Sequence, residues 1–122
     1  MEAAAPKVLL VEDEPLVLRT TAALFEDDGF EVAEARGYDD ALERLAGAPE
    51  TDVLVTDINL AGRADGLALA NAVAERWPHI RIVIVSGCVR PAGAQYPERA
   101  IFFTKPYAPR ALLTIVRDPS SW

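Results

Sequence analysis

The chain carries one cysteine, Cys88, and one histidine, His79. A lone thiol cannot build a disulfide framework or a multi-thiolate zinc site. A lone imidazole removes His-rich metal sites and argues against a Ser–His–Asp or Cys–His catalytic centre. Positive charge is also scarce: 12 Lys and Arg stand against 19 Asp and Glu, a formal net charge of −7. A nucleic-acid binder needs a basic face to displace counterions, so that class of partner is set aside. No apolar run approaches the roughly 18–20 residues of a membrane span. The opening MEAAAPKVLLVEDE has an acid at Glu2 and no basic stretch ahead of its apolar run, so it does not read as a secretory signal. The expectation is a cytoplasmic domain with neither nucleic acid nor membrane as a partner.

What is present is an ordinary globular balance, 51% hydrophobic and 25% charged residues in a chain of 122. That composition is far from disorder, and the length suits one domain. The expectation is a single domain over 1–122, its core from about 6 to 118, with the alanine-rich start and the PSSW end as frayed tails. Short β-branched runs occur at Lys7–Val11, Phe30–Ala35, Val53–Thr56, Arg81–Val85 and Ala100–Phe103. Helix-period segments separate them, which argues for an α/β fold with a parallel sheet and helices on its faces. KVLLV, VLVT and RIVIV are almost wholly apolar, as strands buried on both faces are. FEVAEA alternates apolar and charged residues and reads as an edge strand with one wet face. The first helix starts at Pro15, with Asp13 or Glu14 available as a cap, and Gly29 ends it. Gly37–Ala46 and Gly66–Trp77 read as the second and third helices, the latter turning Leu67, Ala70, Val73, Ala74 and Trp77 inward. Segment 88–98 contains Pro91, Gly93 and Pro97, so the fourth helix is expected to be short or distorted. The fifth spans about Pro109–Arg117.

In a doubly wound sheet, function lies outside the carboxyl ends of the strands. There the sequence places Glu12, Asp13 and Glu14 after the first strand, Asp57 and Asn59 after the third, Ser86 and Gly87 after the fourth, and Lys105 and Pro106 after the fifth. Two carboxylates about 4 Å apart repel by roughly 4 kcal/mol at an effective dielectric near 20, so a cluster of Glu12, Asp13 and Asp57 calls for positive charge. Lys105 supplies one. All-oxygen donors favour a hard divalent cation, magnesium, calcium or manganese, over zinc. A carboxylate beside such an ion and a lysine can attack a phosphoryl group, because neutralising the two anions does most of the work. Asp57 is the best nucleophile, since it ends an apolar strand and is less solvated than Glu14 or Asp65.

VEDE at 11–14, TDINLAG at 56–62, SG at 86–87 and TKPY at 104–107 occur in that order, each where a strand ends. On these motifs the sequence resembles a response-regulator receiver domain of the stand-alone, chemotaxis-regulator-like type, over about residues 6–118. The resemblance implies a flavodoxin-like, doubly wound five-stranded parallel sheet in the order 2-1-3-4-5 with five flanking helices. It implies Asp57 as the acceptor of a phosphoryl group from a histidine kinase or histidine phosphotransferase, in a step that needs Mg2+, with Mn2+ as the alternative ion. Glu12, Asp13, Asp57 and the backbone carbonyl of Asn59 would hold the metal. Ser86 and Lys105 would bind the phosphate, and Phe102 would be the aromatic that turns inward when Ser86 engages it. The Lys105–Pro106 bond would be cis at Pro106. Asn59 and Cys88 would flank the path of the water that hydrolyses the acyl phosphate. The expected product is a phosphoprotein, a phosphorelay signalling module and not an enzyme, whose output is contact with an unidentified downstream protein, as a monomer or weak dimer. The same motifs suit a receiver segment of a hybrid kinase or larger regulator. Glu12 stands where Asp is commoner in the family, Ser86 where Thr is, and Phe102 where Tyr is.

Two other classes fare worse. A magnesium-dependent phosphatase with an aspartate nucleophile wants a second Asp two residues on, and Asn59 cannot serve there as an acid. An FMN binder needs a Ser/Thr/Gly-rich phosphate loop after the first strand, where VEDEP would repel the phosphate. Single residues also have plainer readings: Asp13 as a helix cap, Ser86 as the start of a turn before Gly87, Phe102 as core, Cys88 as a small buried hydrophobe. His79 reads as a solvated loop residue and Trp77 as helix-end packing.

Overall fold

Strand and helix alternate along the chain as the hydropathy pattern requires. The computed structural model describes residues 6–60, 64–87 and 96–117. The elements are β1 (Lys7–Val11), α1 (Pro15–Asp27), β2 (Glu31–Ala35), α2 (Tyr38–Gly47), β3 (Val53–Asp57), α3 (Gly66–Arg76), β4 (Arg81–Ser86), β5 (Ile101–Thr104) and α4 (Pro109–Arg117). The strands form one parallel sheet in the order β2-β1-β3-β4-β5. The expected order is therefore found. Among the described residues there are four helices, α4 being the one expected as the fifth. Most of the segment expected to hold a distorted helix, and Cys88 with it, lies outside the described residues, as do the terminal tails at 1–5 and 118–122. The described part of that segment, from Tyr96, is not helical.

Side-chain alternation along the interior strands builds two cores. Leu9, Val11, Leu54, Ile82 and Ile84 face α2 and α3, where they meet Ala41, Leu45, Leu69 and Val73. Val8, Leu10, Val53, Val55, Val83 and Val85 face α1 and α4, where they meet Leu18, Phe25, Leu112 and Val116. Each such side chain contributes about 1.5–3 kcal/mol by leaving water. Both faces of β1, β3 and β4 are covered, which is why those strands read as unbroken apolar runs.

Four details differ from the sequence reading. β2 does lie at the sheet edge, but its two acids point to opposite faces. Glu34 pairs with Arg19 of α1, and Glu31 with Lys7 of β1. The wet face expected of an edge strand is the one bearing Glu31 and Ala33, while Glu34 is half-buried on the other face. Glu14 sits at the N-cap of α1 yet makes no side-chain capping bond, so Pro15 alone marks that start. In α3, Leu69 is fully buried while Leu67, Ala74 and Trp77 are only partly so, which turns the helix slightly from the expected face. Finally, β3 extends to Asp57 and β4 to Ser86, one residue further than expected, while β2 starts at Glu31 and β5 runs from Ile101. Gly29, at φ +93, ends α1 in a left-handed conformation suited to glycine.

Candidate phosphoryl-acceptor site

Asp57 is the last residue of β3. The β1–β3 pairing ends one residue earlier, at Val11↔Thr56, while Asp57 itself still pairs with Val85 of β4. The carboxylate thus emerges from rigid sheet at its carboxyl edge and is only 8% exposed as a residue. Both of its oxygens are engaged. Oδ1 accepts the backbone N–H of Asn59 at 3.0 Å. Oδ2 accepts the Lys105 ammonium at 2.7 Å.

Lys105 follows β5 and is fixed through its own backbone, whose N–H donates to the carbonyl of Ser86 at 2.7 Å. The Lys105–Pro106 peptide is cis. Lys105 Nζ also lies 3.8 Å from Glu12 Oε1. Burial works against the ammonium, but the bond to Asp57 and the charges of Asp57 and Glu12 outweigh it and raise its pKa above the usual lysine value.

Glu12 closes the cluster from the end of β1, its Oε2 accepting the N–H of Glu14 at 3.1 Å. Burial pushes its carboxyl up to about 7; Glu14's amide pulls the other way, while the neighbouring carboxylates of Asp57 and Asp13 add to the rise. Two carboxyl groups, Asp57 and Glu12, therefore share one ammonium, with Asp13 beside Glu12. Among the described residues no three Asp, Glu, His or Cys side chains form a group that could cage a metal ion. Mg2+ does not need such a cage, because it keeps several waters and uses one or two carboxylates together with phosphate oxygens. The all-oxygen donor set and its surplus negative charge fit that ion. Asp13 stands beside Glu12, and the backbone of Asn59 beside Asp57.

Ser86 ends β4, is 3% exposed and lies in register with Thr104. Phe102 pairs with Ile84, two residues before Ser86, and packs, partly buried, against the core on the α3 side of the sheet. Its ring centroid lies 5.8 Å from that of Tyr96. Strand alternation puts Ser86 and Phe102 on the same face of the sheet, and sends Phe103 to the opposite core.

Two neighbours of the site escaped the sequence reading. Tyr107 lines a cavity together with Glu12, Asp57, Lys105, Val17 and Thr21. Burial raises its phenol pKa; Lys105 lowers it and Asp57 and Glu12 raise it further. Its ring meets Phe103 edge-on at 5.7 Å. The signal was there, since it ends the TKPY motif two residues after the lysine. Gly66, the first residue of α3, lies so close to the Asp57 carbonyl that a side chain's Cβ would overlap it. The two halves of that contact are nine residues apart in sequence, and no local pattern joins them.

Comparison with known proteins agrees with this geometry. The profile of the response regulator receiver domain matches residues 8–117. The nitrogen assimilation regulatory protein NtrX of Azorhizobium caulinodans is 36% identical over 84 residues, which cover 68% of this chain and 18% of that protein. The sensor kinase CckA of Brucella abortus is 33% identical over 117 residues, covering 91% of this chain and 12% of the kinase. The chain thus spans less than a fifth of either relative. Among solved structures, a response regulator receiver protein from Sinorhizobium medicae superposes with a TM-score of 0.79 at 30% identity, covering 92% of this chain and 91% of that one.

Proposed function

This chain belongs to the response regulator receiver domain family, and from that premise we propose that Asp57 accepts a phosphoryl group from a phosphohistidine of a histidine kinase or histidine phosphotransferase. The observation that carries the proposal is the Asp57 carboxylate, buried at the end of a central strand and held by Lys105 Nζ and the Asn59 N–H. A carboxylate oxygen forms a bond to phosphorus while the phosphorus–nitrogen bond breaks and the imidazole takes the electron pair. Lys105, already beside the nucleophile, stays to neutralise the phosphoryl oxygens. Glu12, Asp13, Asp57 and the Asn59 carbonyl would hold Mg2+, which when bound supplies the charge that lets two anions meet. Ser86 donates its hydroxyl to a phosphoryl oxygen, and Phe102, one row away on the same face, fills the space that Ser86 leaves. Water then cleaves the acyl phosphate past Asn59. Cys88, expected on the same path, lies outside the described residues.

The donor needs a surface beside this edge. Leu16, Val17 and Leu24 are exposed large hydrophobics on α1, Leu16 at 77%. Solvent-facing leucines of this kind mark contact surfaces when they cluster, and α1 starts directly after the acidic turn. We assign the donor protein to that helix. The match to a sensor kinase favours a second setting for the same chemistry, a receiver carried within a hybrid kinase. Among the described residues no helix is long and apolar enough to cross a membrane.

The test is intact-protein mass spectrometry after incubation with acetyl phosphate, with and without Mg2+. Wild type is expected to gain one phosphoryl group only with the metal, and Asp57→Asn to gain none. Equal labelling of the variant would place the acceptor elsewhere and overturn the reading.

A further inference from the structure

Thr56 is completely buried, and its hydroxyl donates to the carbonyl oxygen of Asp57, the next residue, at 2.9 Å. That bond completes a set. In the peptide joining Asp57 to Ile58, the Ile58 N–H donates to Val85 at 3.0 Å and the carbonyl accepts from Thr56. In the peptide joining Ile58 to Asn59, the carbonyl accepts the Gly66 N–H at 2.7 Å and the Asn59 N–H donates to Asp57 Oδ1 at 3.0 Å. Two successive peptides are therefore held at both ends. Three of the four bonds use backbone donors that almost any sequence would supply; the fourth comes from one side chain. It is needed because the β1–β3 ladder has stopped at Thr56, and a buried carbonyl beyond the ladder must find its donor elsewhere. The approach of Gly66 from the start of α3 leaves the Asp57 carbonyl no room to swing toward that side.

We infer that Thr56 is a positioning residue for Asp57: its hydroxyl, together with the close approach of Gly66, fixes the peptide on which the phosphoryl-accepting carboxylate is mounted. The inference rests on the proposed phosphoryl acceptance and adds to it a group that touches neither metal nor phosphate. A carboxylate displaced by a fraction of an ångström loses its line of attack, and misplacements approaching 1 Å cost up to about a hundredfold in rate. Thr56 also has a plainer use, as a β-branched side chain filling a strand position. The two uses depend on different atoms. Packing needs the methyl and the branched shape, which valine keeps. Positioning needs the hydroxyl, which serine keeps.

The test compares Thr56→Val and Thr56→Ser with wild type, below the unfolding range of all three proteins. Two quantities are read: the rate of phosphoryl uptake from acetyl phosphate at saturating Mg2+, and hydrogen exchange at the Ile58 and Asn59 amides without any donor. Thr56→Val is expected to slow uptake on the order of tenfold and to speed exchange at both amides. Thr56→Ser is expected to restore both to near wild type. Wild-type values in Thr56→Val, or a larger defect in Thr56→Ser than in Thr56→Val, would overturn the inference. Wild type that takes no phosphoryl group would overturn the proposed function, while the amide exchange would still decide the role of Thr56.

Discussion

Glu12 carries a carboxyl whose charge meets burial and two like-charged neighbours, which the Glu14 amide offsets only in part. Its folded pKa of about 7 lies above the ordinary carboxyl value of 4.5. A raised folded pKa means that the folded chain binds the proton more tightly than the unfolded one. That contribution to stability is complete below the unfolded pKa and is lost as pH rises through the folded one. The metal-free protein is therefore expected to lose stability between about pH 4.5 and 7 relative to Glu12→Gln, whose profile should be flatter there. Denaturant titrations in EDTA across that window check it, and parallel profiles would refute it. Mg2+ should reverse the trend above pH 7, since ligation needs the ionised form. At a hundredfold excess over its Kd the ion should add about 2.7 kcal/mol, removed again by chelation, which melting curves with and without EDTA would show. At this scale the sequence was informative where chemistry is written in residue type: Glu12, Asp57 and Lys105 meet as their positions after successive strands require. It gave no role to Thr56 or Tyr107, although both lie within its motifs. A threonine in a strand looks like packing until the neighbouring ladder is seen to end beside it, and a tyrosine after a proline shows nothing of the cavity it lines.

Among the elements, α3 is the most tightly tied to the site. It begins at Gly66, is capped by Asp65, whose carboxylate accepts the Ala68 N–H at 2.9 Å, and presses its first residue on the Asp57 carbonyl. Gly66→Ala would gain helix propensity in an exposed first turn, but here it must push β3 and α3 apart. The expected outcome is a loss of about 1–3 kcal/mol, the range for overpacking, together with slower phosphoryl uptake. Urea unfolding and acetyl phosphate kinetics on one preparation would check both, and a stabilised variant would refute the contact. The elements themselves were legible because period and punctuation agreed. Pro15 opens α1, Gly29 closes it, and Pro78 follows the end of α3. Their facings were less so. FEVAEA alternates only in part, since Glu31 and Glu34 are three apart and fall on opposite faces, each answered by a cation from a neighbour, Lys7 or Arg19. Alternation reports which residues share a face; only the neighbours reveal which face is wet.

Across the whole molecule the two edges of the sheet carry different work. At the amino-terminal edge Lys7 pairs with Glu50 at 2.8 Å and Glu31 at 3.2 Å, and His79 Nε2 meets the carbonyl of Pro49 at 2.7 Å. These contacts join strand starts and loops at the amino-terminal edge. Lys7→Met is accordingly expected to leave the rate and extent of phosphoryl uptake at Asp57 unchanged, and a slowed rate in the same mass-spectrometric assay would show that the edges communicate. At the carboxyl edge one backbone bond has a wider consequence. The N–H of Lys105 donates to the carbonyl of Ser86, so the residue that grips Asp57 and the serine that ends β4 are joined by a single backbone hydrogen bond. They behave as two fingers of one hand. If Ser86 binds the phosphoryl group as proposed, any shift of the end of β4 would pass through that bond to the backbone of Lys105.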